Sequence, residues 1–236
     1  MRKLLVVTPV KDSIFHAEQA IRSVMKHSVN VLSDYIVYDD FSTDETALRL
    51  DQLAAELGFQ VVHLRDLLTT PSPNYRYVLQ AVQQKALQDD SHVVLVESDV
   101  IVGADTFLRL SSAVTDNVGM VASVTVDAQG AINFPYLYAR KWKHKDVETK
   151  KRFSFCCTLL TNNFLKSYDF AALNPTKNWY DVFISHQSVK LGFKNILQIT
   201  NQVVHYPHSS RPWKLLKYTN PLKYYWIKYI KGFDKI

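Results

Sequence analysis

Three short polar stretches each follow an apolar run: Thr8-Pro9-Val10-Lys11-Asp12, Asp39-Asp40 and Glu97-Ser98-Asp99. The apolar runs read as buried strands, and in an open parallel sheet ligands sit at the carboxyl ends of the strands. A carboxylate there can accept hydrogen bonds from a base N–H or a ribose hydroxyl. A cluster of acids can instead hold a divalent cation. A single Asp after a strand can also do no more than cap the next helix, and that alternative stays open for Asp39 and Asp40. Three polar strand ends in one chain favour a shared site.

Other residues carry chemistry singly. Asp181 stands ahead of Val182 and Ile184 at a helix start, as a general base or as an N-cap. Arg76 follows Tyr75 at a loop-to-helix junction; its permanent charge suits a uracil or a phosphate, or a surface ion pair. His205 and His208 follow a late strand in "VVHYPHSS" and could complete a metal shell with carboxylates or serve structure alone. Cys156 and Cys157 are neighbours in an apolar stretch and lack the spacing of a metal site or a disulfide framework.

The elements that must position these residues follow from periodicity. Strands are expected at Leu4 to Thr8, Tyr35 to Tyr38, Phe59 to Leu64 and His92 to Val96. Helices are expected at Ala17 to Lys26, Thr46 to Leu57 with Ser42 or Thr43 as N-cap, Tyr75 to Gln88 and Thr106 to Ala113. This alternation predicts an α/β fold with a mostly parallel central sheet, helices on its faces and right-handed crossovers. Beyond Met120 the order changes to strands, Met120 to Val126 and Phe153 to Leu160, around a basic loop from Arg140 to Arg152. The expected organisation is one compact domain whose halves, 1–99 and 100–210, share one sheet, followed by a basic aromatic tail, 211–236.

A chain of 236 residues with 47% hydrophobic content can bury a sizeable core, and a net charge of +6 suggests an anionic partner. Nucleic acid is disfavoured, because no RNP-like or helix-turn-helix signal accompanies the basic residues. "TPVKDS" contains no glycine, which argues against a sugar nucleotidyltransferase and a nicotinamide dehydrogenase. The apolar start is shorter than a signal peptide and no stretch is long enough to span a bilayer, so a cytoplasmic, reduced protein is expected. In the tail, Leu222, Tyr225, Trp226, Tyr229 and Phe233 fall at helical spacing on one face among lysines, with Trp213 and Tyr224 nearby. That pattern suits an anionic membrane surface, and equally packing on the domain or on a second copy of the chain.

Taken together, "VVTPVKDS", "IVYDDFSTDET" and "VLVESDVIVGADTFLRL" resemble the successive signatures of family 2 glycosyltransferases, which have the GT-A, Rossmann-like fold. "NYRYVLQAVQQKAL", "FCCTLLTNNFLKSY" and "WYDVFISHQSVKLGFK" are similar to that family's later segments, so the resemblance covers about residues 3 to 208. It implies an inverting transferase using a nucleotide sugar, with UDP as the expected nucleotide, and Mn2+ or Mg2+ as cofactor. The nucleotide would meet Thr8, Pro9, Val10, Asp12, Asp39, Asp40, Arg76, Glu97 and Ser98 in residues 1–99. The metal would be held by Asp99, Glu97 and His205, and Asp181 would be the base in the acceptor-binding half. A glycan or lipid-linked acceptor in surface polysaccharide or lipopolysaccharide-type assembly is implied, at the inner face of the plasma membrane. The chain departs from the pattern at Glu97, where D-x-D has Asp, and at Tyr180, Phe183 and Gln187. Those departures keep open a catalytically degenerate nucleotide-binding or scaffold module.

Overall fold

The computed structural model describes residues 2–28, 32–142, 145–176, 179–206, 216 and 220–230. Its strands are β1 (Leu4–Val10), β2 (Leu32–Asp39), β3 (Gln60–His63), β4 (His92–Val96), β5 (Val100–Ile101), β6 (Val118–Val126), β7 (Val147–Glu148), β8 (Cys157–Leu160) and β9 (Lys194–His205). Its α-helices are α1 (Ile14–Ser28), α2 (Asp44–Leu57), α3 (Tyr75–Gln88), α4 (Thr106–Ser112), α5 (Asn162–Ser167), α6 (Tyr180–Lys190) and α7 (Pro221–Ile230).

Among the described residues the nine strands form one sheet, in the order β3-β2-β1-β4-β8-β6-β9-β5 with β7 also on β9. β3, β2, β1 and β4 run parallel. β8 is antiparallel to both β4 and β6, so β6, and β9 parallel to it, share the direction of β4. Successive side chains of a strand point to opposite faces. Leu4 and Val6 accordingly join one core with α1, α2 and α4 residues, while Leu5 and Val7 join another with α3, α5 and α6 residues. Burial on both faces is why β1 and β4 read as continuous apolar runs rather than alternating ones.

Thr43 is the N-cap of α2, its hydroxyl accepting from the Thr46 N–H at 3.4 Å, and Gly58 closes the helix at φ 79°. The helix therefore starts at Asp44, two residues before the expected position, and its acids Asp44 and Glu45 lie in the first turn, where the helix dipole favours them. Two expectations change. The segment 153–160 is a strand only from Cys157, because the Phe153 N–H is taken by Ser185 Oγ (2.9 Å) and the Ser154 N–H by the Tyr136 hydroxyl (3.0 Å) rather than by a neighbouring strand. The basic segment 140–152 is more than a loop: it opens in a 3-10 turn, Leu137–Trp142, and contributes β7 to the sheet.

Candidate functional site

The first two polar strand ends are bonded to each other. The Asp12 N–H donates to Ser42 Oγ (2.8 Å), Asp12 Oδ1 accepts from the Thr43 N–H (2.8 Å), and Lys11 Nζ donates to the Phe41 carbonyl. Asp12, Ser13 and Phe41 all adopt left-handed backbone, with φ of 55°, 54° and 60°. Each such non-glycine residue costs about 1–3 kcal/mol, and such strain gathers where loops serve ligands. Thr8 is buried and its Oγ1 accepts from the Tyr35 hydroxyl at 2.9 Å, with Pro9 and Val10 carrying the strand into the loop.

Asp39 and Asp40 point into different environments. Asp39 is fully buried: Oδ1 accepts from the Ser42 N–H (3.1 Å) and Oδ2 lies 2.8 Å from His63 Nδ1. The other ring nitrogen of His63 lies 3.0 Å from Asp51 Oδ1. Burial pushes the His63 pKa down, but hydrogen bonds to Asp39 and Asp51 outweigh it and leave the imidazole above its ordinary value. Asp40 accepts three hydrogen bonds, from Ser72 Oγ (2.7 Å), the Asn74 N–H (2.9 Å) and Asn74 Nδ2 (2.8 Å). It thereby hangs the 72–74 loop on the end of β2. Neither Asp caps α2, since Thr43 does.

The third strand end forms a tighter cluster. Pairing of Val96 with Cys157 brings Cys156 beside Glu97, and pairing of Val100 with His205 brings His205 beside Asp99. Ligand atoms of Glu97, Cys156 and His205 lie within 4.8 Å of one another, and His205 Nε2 is 3.4 Å from Asp99 Oδ2. Ser98 occupies the intervening turn and is partly exposed. His205 Nδ1 sits 2.7 Å from the Phe134 carbonyl and donates to it, while Nε2 faces Asp99; burial pushes the imidazole pKa down, but the Asp99 carboxylate outweighs it and holds the ring above its ordinary value. A metal-ligating histidine is held in this way, with its far N–H bonded to a carbonyl. Carboxylate and imidazole donors suit Mn2+ or Mg2+, and the residues present fit such an ion. Cys156 Sγ donates to Glu97 Oε2 at 3.1 Å; burial and that nearby carboxylate push the thiol pKa well up.

Asp181 lies in the first turn of α6, partly buried, and the N-cap is Trp179, which makes no side-chain capping bond. The N-cap alternative for Asp181 is thus removed. Its backbone carbonyl accepts from Ser185 Oγ, the same hydroxyl that receives the Phe153 N–H. From Phe153 it is three residues to Cys156, about 10 Å of extended chain at most. One short segment therefore ties the start of α6 to the acid cluster. Arg76 makes its hydrogen bonds elsewhere: Nε donates to the Leu173 carbonyl (2.8 Å) and Nη2 to the Ala171 carbonyl (2.9 Å). Phe183, at a departure from the family pattern, packs against Tyr168 with ring centroids 6.0 Å apart.

Periodicity missed Cys156 and the Phe134 carbonyl as parts of the cluster, and His63 as the partner of Asp39. A pairing of "FSFCCTLL" with "VVLVES" would have exposed the first; nothing local announces the others. His208, Trp213 and Phe233 lie outside the described residues. In α7, Leu222, Tyr225, Trp226, Tyr229 and Ile230 are exposed, from 46% to 85%, while Tyr224 is buried. No described helix is long and apolar enough to cross a membrane.

No family model matches the chain, and no curated protein matches it in sequence. Solved structures match it in fold. GalNAc-T7, crystallised with UDP, GalNAc and Mn2+, superposes with a TM-score of 0.63 at 14% identity, over 89% of this chain and 45% of that one. The mannosyltransferase PcManGT from Pyrobaculum calidifontis, in complex with GDP-Man and Mn2+, gives 0.64 at 15% identity, over 98% and 64%. S. aureus TarS 1-349 gives 0.62 at 15% identity, over 86% and 60%. The chain spans about half the length of the first and under two thirds of the other two. At these identities the likeness is one of fold: the chain has the GT-A fold, a mixed α/β domain with a mostly parallel sheet flanked by helices.

Proposed function

We propose that this chain is an inverting, cation-dependent glycosyltransferase of the family 2 type. It moves a sugar from a nucleoside diphosphate sugar, with UDP as the expected nucleotide, to a hydroxyl of a glycan or lipid-linked acceptor in surface polysaccharide or lipopolysaccharide-type assembly. The observation that carries this is the convergence of Glu97, Asp99 and His205 at the carboxyl edge of a GT-A sheet. Two structures similar in fold hold a nucleotide or nucleotide sugar together with Mn2+, which supports the same use of this edge.

In this reading the donor's nucleoside lies against the bonded loops of Thr8 to Asp12 and Asp39-Asp40, and its diphosphate reaches Ser98 and Asp99. Glu97, Asp99 and His205 would hold a divalent cation. When bound, that ion supplies neutralisation of the charge developing on the leaving diphosphate. Asp181 takes the proton of the acceptor hydroxyl as its oxygen attacks the anomeric carbon; a single displacement from the far side inverts that centre. Arg76 clamps the 171–173 carbonyls that lead towards α6, and so orients the helix that carries Asp181.

The exposed face of α7 fits an anionic leaflet: its five apolar side chains recur at i, i+3, i+4, i+7 and i+8, and Lys223 and Lys228 stand in the same helix. The protein would thus work as a peripheral protein on the inner membrane face. Truncation after Arg211 is expected to release it from anionic liposomes. A dimer lost on truncation, with liposome binding unchanged, would give that face to a second copy instead.

The central test is Asp99→Asn. It is expected to abolish Mn2+-stimulated donor turnover across a panel of nucleotide sugars while circular dichroism stays native. Nucleotide binding without turnover in the wild type would support the scaffold alternative, and full activity in Asp99→Asn would remove the site.

A further inference from the structure

Cys156 is out of place in a site built for a hard cation. The D-x-D pattern has carboxylates only, and thiolate is the ligand by which proteins select softer metals such as zinc, cobalt and cadmium. Here the sulfur is 3.1 Å from Glu97 Oε2, and its position is set twice over: by the Glu97 N–H, which donates to the Cys156 carbonyl at 3.0 Å, and by the β4–β8 pairing one residue on. The Ser154 hydroxyl lies 3.4 Å from the sulfur on its other side. Sulfur, imidazole nitrogen and carboxylate oxygen converge within 4.8 Å, close enough for one ion to touch all three after small side-chain shifts. With Asp99 Oδ2 only 3.4 Å from the same imidazole nitrogen, a fourth protein ligand is at hand. Three or four such donors make the tetrahedral N, O, S set of a zinc site.

We infer that Glu97, Cys156 and His205, with Asp99 beside them, form a binding site for a thiophilic divalent cation in which the Cys156 sulfur is a direct ligand. The inference rests on the proposed cation-binding role of this strand end and adds a second mode to it. A hard ion such as Mn2+ takes the carboxylates and His205 and leaves the thiol protonated, donating to Glu97. A soft ion takes the sulfur: the S–H bond breaks, an S–metal bond forms, and the proton leaves to solvent. No oxidant or reductant is needed. A four-ligand protein site closes the positions a diphosphate would occupy, so Zn2+ competes with the donor rather than serving it.

Co2+ is the probe, because a thiolate bound to Co2+ gives a near-ultraviolet charge-transfer band that carboxylate and imidazole ligands do not. Wild type titrated with Co2+ is expected to show the band, Cys156→Ser to lack it, and Cys157→Ser, which alters the buried neighbour outside the cluster, to keep it. Cys156→Ser should weaken Zn2+ binding by at least about tenfold to a hundredfold. Mn2+ binding, followed by electron paramagnetic resonance on the same samples, should stay within about threefold because the hard ion does not use sulfur. A band that survives Cys156→Ser, or Co2+ bound by wild type without any band, overturns the inference. Absence of Co2+ binding overturns it too, and the Mn2+ signal then shows separately whether the cation-dependent reading of the site stands.

Discussion

Asp40 offers a way to separate a carboxylate that builds the site from one that binds the ligand. Its two oxygens accept from Ser72 Oγ, the Asn74 N–H and Asn74 Nδ2, and both Asp40 and Asn74 are under 10% exposed. Hydrogen bonds to a charged group contribute about 1.5–3 kcal/mol each, and a buried donor left alone costs about 1–3 kcal/mol. In Asp40→Ala the Ser72 hydroxyl can turn to water and Asn74 Nδ2 keeps the Thr70 carbonyl at 2.9 Å, so the main loss is the stranded Asn74 N–H. The expected cost is about 2–4 kcal/mol. Asp40→Asn keeps an oxygen for Ser72 and the Asn74 N–H but sets an amide NH2 against Asn74 Nδ2, which should cost about 1–2 kcal/mol. With a urea slope of about 3 kcal/mol per molar, the Ala variant should unfold roughly 1 M earlier than wild type and the Asn variant between them. Wild-type midpoints in both variants, with donor affinity lost, would refute the loop-anchoring argument and give the carboxylate to the nucleotide.

Asp181→Asn removes a charge from the first turn of α6, where the dipole contribution is about 0.3–1 kcal/mol, and should slow transfer by about a hundredfold to ten-thousandfold at unchanged donor affinity; single-turnover kinetics with a matched acceptor check this. His63 has its pKa raised in the fold, so its contribution is complete below its ordinary value of 6.5 and lost as pH climbs through the folded value. Urea midpoints of wild type should therefore fall from about pH 6 towards alkaline pH more steeply than those of His63→Gln; equal slopes would dismiss the Asp39–His63–Asp51 clamp. Gly119→Ala would set a Cβ 2.2 Å from Ser188 Oγ and 2.8 Å from Phe193 Cβ, and should cost about 1–3 kcal/mol in the same unfolding assay.

What could be read from the chain was what is local. α3 and β4 fall on the expected residues because their apolar patterns are long and bounded by turn residues. The N-cap of α2 was legible as Ser42 or Thr43, and Thr43 is the one whose hydroxyl caps, although the helix starts two residues before the expected Thr46. β5 and β7, of two residues each, have no period to detect, and they exist only because β9 offers them an edge. The same holds for the partners of the acids. Asp39 and Asp40 announce themselves by charge after an apolar run, but His63 and Asn74 reach them across 24 and 34 residues, through pairings no local pattern encodes.

That division follows from how such a sheet makes a site. β1 has β2 on one side and β4 on the other, so the chain's course across the sheet reverses there and leaves an open edge above the carboxyl ends. Every acid placed after those strands arrives at that edge whatever the intervening helices do, which is why the carboxylates of the candidate site were legible in the chain. Histidine and thiol come from later in the chain: Cys156 stands just before the antiparallel strand β8, and His205 ends β9, which runs in the direction of β4. A ligand supplied by a returning strand depends on register alone: a slip of one residue along β8 would turn Cys156 to the other face of the sheet and bring Phe155 or Cys157 to Glu97. The composition of the cation site beyond its acids is therefore a property of strand register, and the register is held by the Glu97 N–H bond to Cys156 and by the Val100–His205 pairing.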